Sequence, residues 1–213
     1  GHPIFDEWAP TTKHNLCNIL GLNPEKPILA LFPGSRKQEV IRHLPLFVKV
    51  AEKLRNKNPQ IQFICGQANQ FKQNPISLPK WIKVERNHPK KALECADLAL
   101  VASGSATLEA AVFGTPMIII YKMAILSWWL SKLLVKGEYA GMVNILAGKK
   151  IIPEYLQHKA TVESITNKAF EMINSEEKKG KLKSELFRVK EKLQDSDVSQ
   201  RVAENILSLV DNK

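Results

Sequence analysis

Apolar runs and helically spaced apolar positions alternate along this 213-residue chain, predicting strands and helices in turn. Leu98 to Ala102 is a continuous apolar run, which suits a strand buried on both faces of a parallel sheet. The run breaks at Ser103-Gly104-Ser105 and resumes with helical spacing through Ala106, Leu108, Glu109 and Ala110. Ile28 to Phe32 is a second such run, followed at once by Pro33-Gly34-Ser35-Arg36. Ile61 to Cys65, Trp81 to Glu85 and Thr115 to Tyr121 complete the predicted strands. Helices are expected around Thr12 to Leu20, with Thr11 as cap, and from Pro45 to the stop at Pro59, with Phe47, Val48, Ala51 and Leu54 as one stripe. A short helix from His88 to Cys95 is led by Pro89, and Gly66 to Asn74 reads as a loop or short helix. Ile125 to Val135 is expected to be a helix carrying Trp128 and Trp129, one of them at a surface. Beyond Pro153, helices are expected around Val162 to Ile173, Lys178 to Leu193 and Val198 to Val210.

This order predicts an α/β protein: a Rossmann-like parallel sheet with helices on both faces, plus a C-terminal helical extension. The segments are a linker and leading helix over 1–24, a Rossmann-like domain over 25–157 and C-terminal helices over 158–213. Right-handed crossovers place the turns Gly34-Ser35-Arg36 and Ser103-Gly104-Ser105 along one sheet edge. Each is compatible with an ordinary cap or turn. Each also suits a phosphate, because a helix start offers free N–H groups and the positive end of a dipole. Ser105 or Thr107 adds hydroxyl donors, Arg36 a fork-shaped cation, and Glu109 an acceptor for a ribose or sugar. Asn144 is the one polar residue inside the apolar stretch Gly141 to Gly148, so it needs hydrogen-bond partners from the protein or from a ligand.

Composition narrows the partners without choosing among them. Thirty-one Lys and Arg against 21 acids give a net charge of +10, favouring anionic partners such as nucleotides, phosphorylated lipids or an anionic membrane leaflet. No basic stripe interleaved with aromatics is visible, which argues against nucleic acid. The three cysteines, Cys17, Cys65 and Cys95, have neither metal-ligand nor disulfide spacing, and read as reduced, buried thiols of an intracellular protein. Gly1-His2-Pro3 begins neither with Met nor with a basic-then-apolar leader, so preceding sequence is expected but no signal peptide. The most apolar segment, Met123 to Val135, is too short to span a bilayer.

Several pieces of the chain occur together in a known order. They are Gly1-His2-Pro3 with Asp6; Leu31 to Arg36 with Glu39-Val40; Ala102 to Glu109; Pro116 to Tyr121 with Met123; Trp129-Leu130 with Leu134-Val135-Lys136; and Asn144 to Gly148. In these the chain resembles the C-terminal half of the lipid-A-disaccharide synthase family, over most of Gly1 to Gln157. The resemblance implies the donor-binding half of a two-domain glycosyltransferase fold. The implied reaction joins UDP-2,3-diacylglucosamine to 2,3-diacylglucosamine 1-phosphate with inversion and release of UDP, in lipid A biosynthesis. Carried over, Arg36 contacts the donor diphosphate or helps neutralise the leaving UDP, and Asn144 acts near the donor as the second catalytic residue. Gly34, Ser35, Ser103, Gly104, Ser105 and Thr107 hold the diphosphate, Glu109 the ribose or uracil side, and Tyr121 contacts the donor. No cofactor or metal is implied. The acceptor site and general base are expected in the other half, so this chain alone should bind donor but transfer sugar poorly. The family also implies a cytoplasmic protein, peripheral on the anionic inner face of the inner membrane, and allows a homodimer. Other readings are another UDP-sugar transferase or epimerase half-domain, or a non-catalytic nucleotide-binding module.

Overall fold

The structure is a computed structural model that describes residues 4–67, 76–123, 139–193 and 198–211. Its centre is a six-stranded, all-parallel sheet in the order β3-β2-β1-β4-β5-β6. The strands are β1 (Ile28–Phe32), β2 (Gln62–Gly66), β3 (Ile82–Glu85), β4 (Leu98–Ala102), β5 (Met117–Tyr121) and β6 (Glu154–Leu156). β1 and β4 have the bounds expected from their apolar runs, and every residue of both is buried, because helices cover each face. β6 was not foreseen: its three residues are all half-buried and carry no apolar run.

The helices are α1 (Ile4–Glu7), α2 (Lys13–Leu20), α3 (Lys37–Lys57), α4 (Pro89–Glu94), α5 (Ser105–Phe113), α6 (Met142–Ala147), α7 (Val162–Ile173), α8 (Glu176–Leu193) and α9 (Val198–Asp211), with a 3₁₀ turn at Gln157–Lys159. α7 has the predicted bounds. The cap of α2 is Thr12 rather than Thr11, its side chain accepting from the Asn15 N–H at 3.3 Å. α3 starts well before Pro45, which lies inside the helix. Pro45 withholds an N–H from the Ile41 carbonyl, and Ile41 lies on the exposed side of the helix. Asn58 caps the other end, immediately before Pro59.

α3 packs with α7 over one face of the sheet, while α2, α4, α5 and α8 pack in succession over the other. One contiguous core runs from Ile4 to Leu193, so α7 and α8 contribute to the same core as the sheet. Cys17, Cys65 and Cys95 are free and buried, and burial pushes the Cys65 and Cys95 thiols up to about 12. Among the described residues no helix is long and apolar enough to cross a membrane. The helix predicted for Ile125 to Val135, with Trp128 and Trp129, lies outside the described residues, as do Gly1-His2-Pro3 and most of the loop predicted after Gly66.

β1 and β4 are neighbours although three crossings of the sheet separate them in sequence, and Asp97 sets their register at the amino end. Its carboxylate accepts from the Ile28 N–H at 2.9 Å and from Lys13 Nζ at 2.8 and 2.9 Å, while its own N–H donates to the Ile28 carbonyl at 2.9 Å. Asp97→Ala strands a buried strand N–H, so it should cost about 2 kcal/mol in urea unfolding. Lys13→Ala, which removes only a partly exposed ion pair, should cost less than about 1 kcal/mol.

Candidate functional site

The site grows from the point where the sheet changes winding direction. The chain leaves β1 into α3 on one face and leaves β4 into α5 on the other, so a crevice opens between their carboxyl ends. A cavity of about 510 Å³ occupies this crevice, lined by Gly34, Ser35 and Arg36 from one turn and Ser103, Gly104 and Ser105 from the other. Phe32, Glu39, Gln67, Lys90 and Glu109 also line it. Most of the residues predicted for the site are thereby brought together from separate parts of the chain.

The two turns satisfy their donors differently. After β1, the Glu39 carboxylate reaches back and accepts from the Ser35 N–H at 3.0 Å and the Arg36 N–H at 3.2 Å. This forms a capping box on α3. Gly34 makes room for it: φ is +116°, and a Cβ there would lie 2.5 Å from a Glu39 carboxylate oxygen. The Arg36 guanidinium is 83% exposed and touches the other Glu39 oxygen at 3.3 Å. After β4, α5 is capped by Gly104, which has no side chain to offer; the Thr107 N–H donates to the Gly104 carbonyl at 3.1 Å, while those of Ser105 and Ala106, which line the cavity, have no cap among the described residues. The start of α5 is thus the more open anion-binding end. Glu109 sits one turn into α5, 3.8 Å from Lys90 Nζ.

Thr107, Tyr121 and Asn144 were expected at the ligand, but they are not among the lining residues. Thr107 is buried, and its hydroxyl donates to the Gly104 carbonyl at 2.7 Å, bracing the turn instead of facing a phosphate. Asn144 is 0% exposed and wholly engaged within the protein. Its Nδ2 donates to the Ile152 carbonyl at 2.9 Å and to Glu154 Oε1 at 2.6 Å, and its Oδ1 accepts from the Ile151 and Ile152 N–H groups at 2.9 and 2.8 Å. The same Glu154 carboxylate accepts from the Ala140 and Gly141 N–H groups at 3.0 and 2.9 Å, capping α6. Ser103 is tied to this region, its hydroxyl donating to the Ala140 carbonyl at 3.4 Å.

Tyr121 stacks against His43, with ring centroids 6.5 Å apart. Buried His43 bridges the β1 turn to the end of β5. Its Nδ1 donates to the Pro33 carbonyl at 3.1 Å and its Nε2 accepts the Lys122 N–H at 3.0 Å, which assigns the neutral tautomer.

Sequence reasoning missed Glu39, His43, Gln67, Lys90 and Glu154. Glu39 had a readable signal, an acid three residues after the cap position. The others had none, since their roles depend on which strands become neighbours. A second cavity, about 350 Å³, lies near the opposite end of β4. Its charges are already occupied: Lys13 pairs with Asp97, and Lys190 lies 4.3 Å from the Trp8 ring centroid. Among the described residues no cluster of His, Cys, Asp or Glu is arranged to hold a metal.

Strand order and crevice define a Rossmann-type domain with an anion-suited site at its switch point. The fold is shared with part of sucrose-phosphate synthase from Thermosynechococcus elongatus, at a TM-score of 0.61 and 12% identity, over 98% of this chain and 51% of that one. It is also shared with the calicheamicin glycosyltransferase CalG4, at a TM-score of 0.55 and 14% identity, over 89% of this chain and 45% of that one. The description of the lipid-A-disaccharide synthetase family matches residues 1–206, and the chain belongs to that family. Lipid-A-disaccharide synthase of Coxiella burnetii (strain CbuG_Q212) is 34% identical over 99% of this chain. The chain spans 57% of that relative's length.

Burial lowers the pKa of His43 from its ordinary 6.5, outweighing the neighbouring Glu39 and Pro33 carbonyls that raise it. As pH falls, the unfolded chain takes up the proton first. The stabilising contribution of the neutral ring is therefore complete above pH 6.5 and lost as pH drops through the folded-state value. Urea midpoints measured from about pH 7 down to about pH 5 should fall, with a shallower fall in His43→Gln.

Proposed function

We propose that this chain is the donor-binding portion of a lipid-A-disaccharide synthase, joining UDP-2,3-diacylglucosamine to 2,3-diacylglucosamine 1-phosphate with inversion and release of UDP. The observation that carries this reading is the pair of anion-suited turns meeting in one crevice at the switch point, in a chain of that family. On this reading the diphosphate sits against the uncapped start of α5, with Ser103 and Ser105 supplying hydroxyl groups. Charge builds on the β-phosphate as the sugar bond breaks. Fixed N–H groups and a helix dipole aimed there lower the barrier without reorganising.

Arg36 neutralises the leaving UDP. Its exposed pairing with Glu39 is worth little, so the guanidinium is easily exchanged onto phosphate. Glu109 accepts from the ribose hydroxyls. Thr107 and Asn144 act as positioning residues: Thr107 by fixing the Gly104 carbonyl, Asn144 by holding Glu154 on the start of α6. The acceptor site and general base are assigned to the part of the relatives' length that this chain does not span.

Calorimetric titration of UDP into the chain tests the reading. Arg36→Ala and Glu109→Ala should each weaken binding roughly tenfold while leaving circular dichroism unchanged, the loss of about one charged hydrogen bond. A folded wild-type chain that ignores UDP would remove it.

The proposal extends to a cytoplasmic enzyme resting on the anionic inner face of a membrane, supported by the net charge of +10 and by an acylated substrate class. Flotation with anionic vesicles should carry the chain upward at low salt and release it at high salt. Failure to float at low salt would count against the membrane contact but not against donor binding.

A further inference from the structure

We propose that Gln67 recognises the nucleobase, its side-chain amide pairing with a ring edge that carries an N–H beside a carbonyl. The proposal rests on the UDP-donor reading of the crevice and adds the residue that reads the base. Gln67 follows β2 directly and is 1% exposed, yet it lines the cavity. Its backbone is fixed, the N–H donating to the Glu85 carbonyl at 3.0 Å. Its side chain is not satisfied. Neither Oε1 nor Nε2 has a hydrogen-bond partner of ordinary geometry among the described residues; the polar group beside the amide is the buried Cys65 thiol, a weak donor and acceptor. Buried amides are almost always paired, and one left empty against a cavity marks a place where the partner arrives with a ligand.

Position decides which part of the ligand arrives there. The anion-suited turns stand at the ends of β1 and β4, and β2 lies on the far side of β1 from β4. With strands spaced at about 4.8 Å, the end of β2 lies about 10 Å from the start of α5. A diphosphate held at α5 therefore leaves room for a further ligand unit over β2. One wall beside Gln67 is apolar: the tip of the Phe32 ring rests on Gly66, where a Cβ would lie 2.3 Å from Phe32 Cζ. A hexose, with hydroxyls around its rim, would leave several unpaired against such a wall. A flat heterocycle with one polar edge would not. A primary amide offers donor and acceptor side by side, which complements the N–H and carbonyl of a uracil edge. An acylamino group on the sugar also offers an N–H and a carbonyl, though on opposite sides of a trans amide, so both sources are compared.

The test titrates UDP, inorganic diphosphate, UDP-glucose and UDP-N-acetylglucosamine into the wild-type chain and Gln67→Leu, with melting curves of the free proteins. The leucine variant should bind UDP and both UDP-sugars about tenfold more weakly, with unchanged diphosphate affinity. It should melt no lower than wild type, because an unpaired buried amide has been replaced by an apolar side chain of similar size. Undiminished UDP binding in the variant would overturn the assignment, as would an equal loss for diphosphate. A loss confined to UDP-N-acetylglucosamine would assign Gln67 to the sugar amide and also overturn it. A wild-type chain that binds neither UDP nor diphosphate removes the donor reading itself, a result distinct from failure at Gln67 alone.

Discussion

Everything at the site depends on β1 and β4 being hydrogen-bonded neighbours while their exits diverge. Parallel strands joined by right-handed crossovers must place successive helices on one face until the chain reverses its direction across the sheet. The reversal here falls between β1 and β4, with Leu29 paired to Leu98 and Phe32 to Val101. The gap between their carboxyl ends opens as a cavity lined from the turns that lead into α3 and α5. The Asp97 carboxylate and the Ile28 backbone lock that pair at its amino end, so the geometry of the crevice at the other end is inherited from contacts a full strand length away.

The crevice is asymmetric in charge. On the β1 side a resident carboxylate, Glu39, already occupies the backbone donors, and the one strong cation beside it is turned outward. On the β4 side the helix start has no internal counter-ion and a glycine at its cap. On the donor-binding reading, a dianionic ligand would meet its strongest uncompensated donors at α5, and the β1 turn would answer with an exposed guanidinium rather than with its backbone. This division explains why two turns of similar sequence character need not play equal parts.

How much of this was readable follows from burial. β1, β4 and α7 could be bounded from sequence because a strand covered on both faces is apolar throughout and an amphipathic helix repeats its stripe. β6 escaped because three half-buried residues make no pattern, and the start of α3 because Pro45 resembles a first-turn proline while the true signal, Glu39 behind Arg36, is a capping box. Residue type allowed Thr107 and Asn144 at the ligand, and the family resemblance placed them there. Neither shows whether their hydrogen bonds are spent indoors, and in both cases they are. Gln67 is the converse, an unremarkable letter after a strand whose importance lies only in what fails to reach it.

The Glu39 carboxylate has a kinetic consequence. On the donor-binding reading, when an anionic ligand leaves, the Arg36 guanidinium N–H groups have a tethered acceptor within reach on the same helix turn, held in place by the Ser35 and Arg36 backbone N–H groups. Their rebonding is intramolecular and needs no diffusing counter-ion. On that reading, departure of the ligand is coupled to the reclosing of this internal bond, which works against its tight retention. The residue that shapes the turn would thereby also serve as an exchange partner for a bound anion.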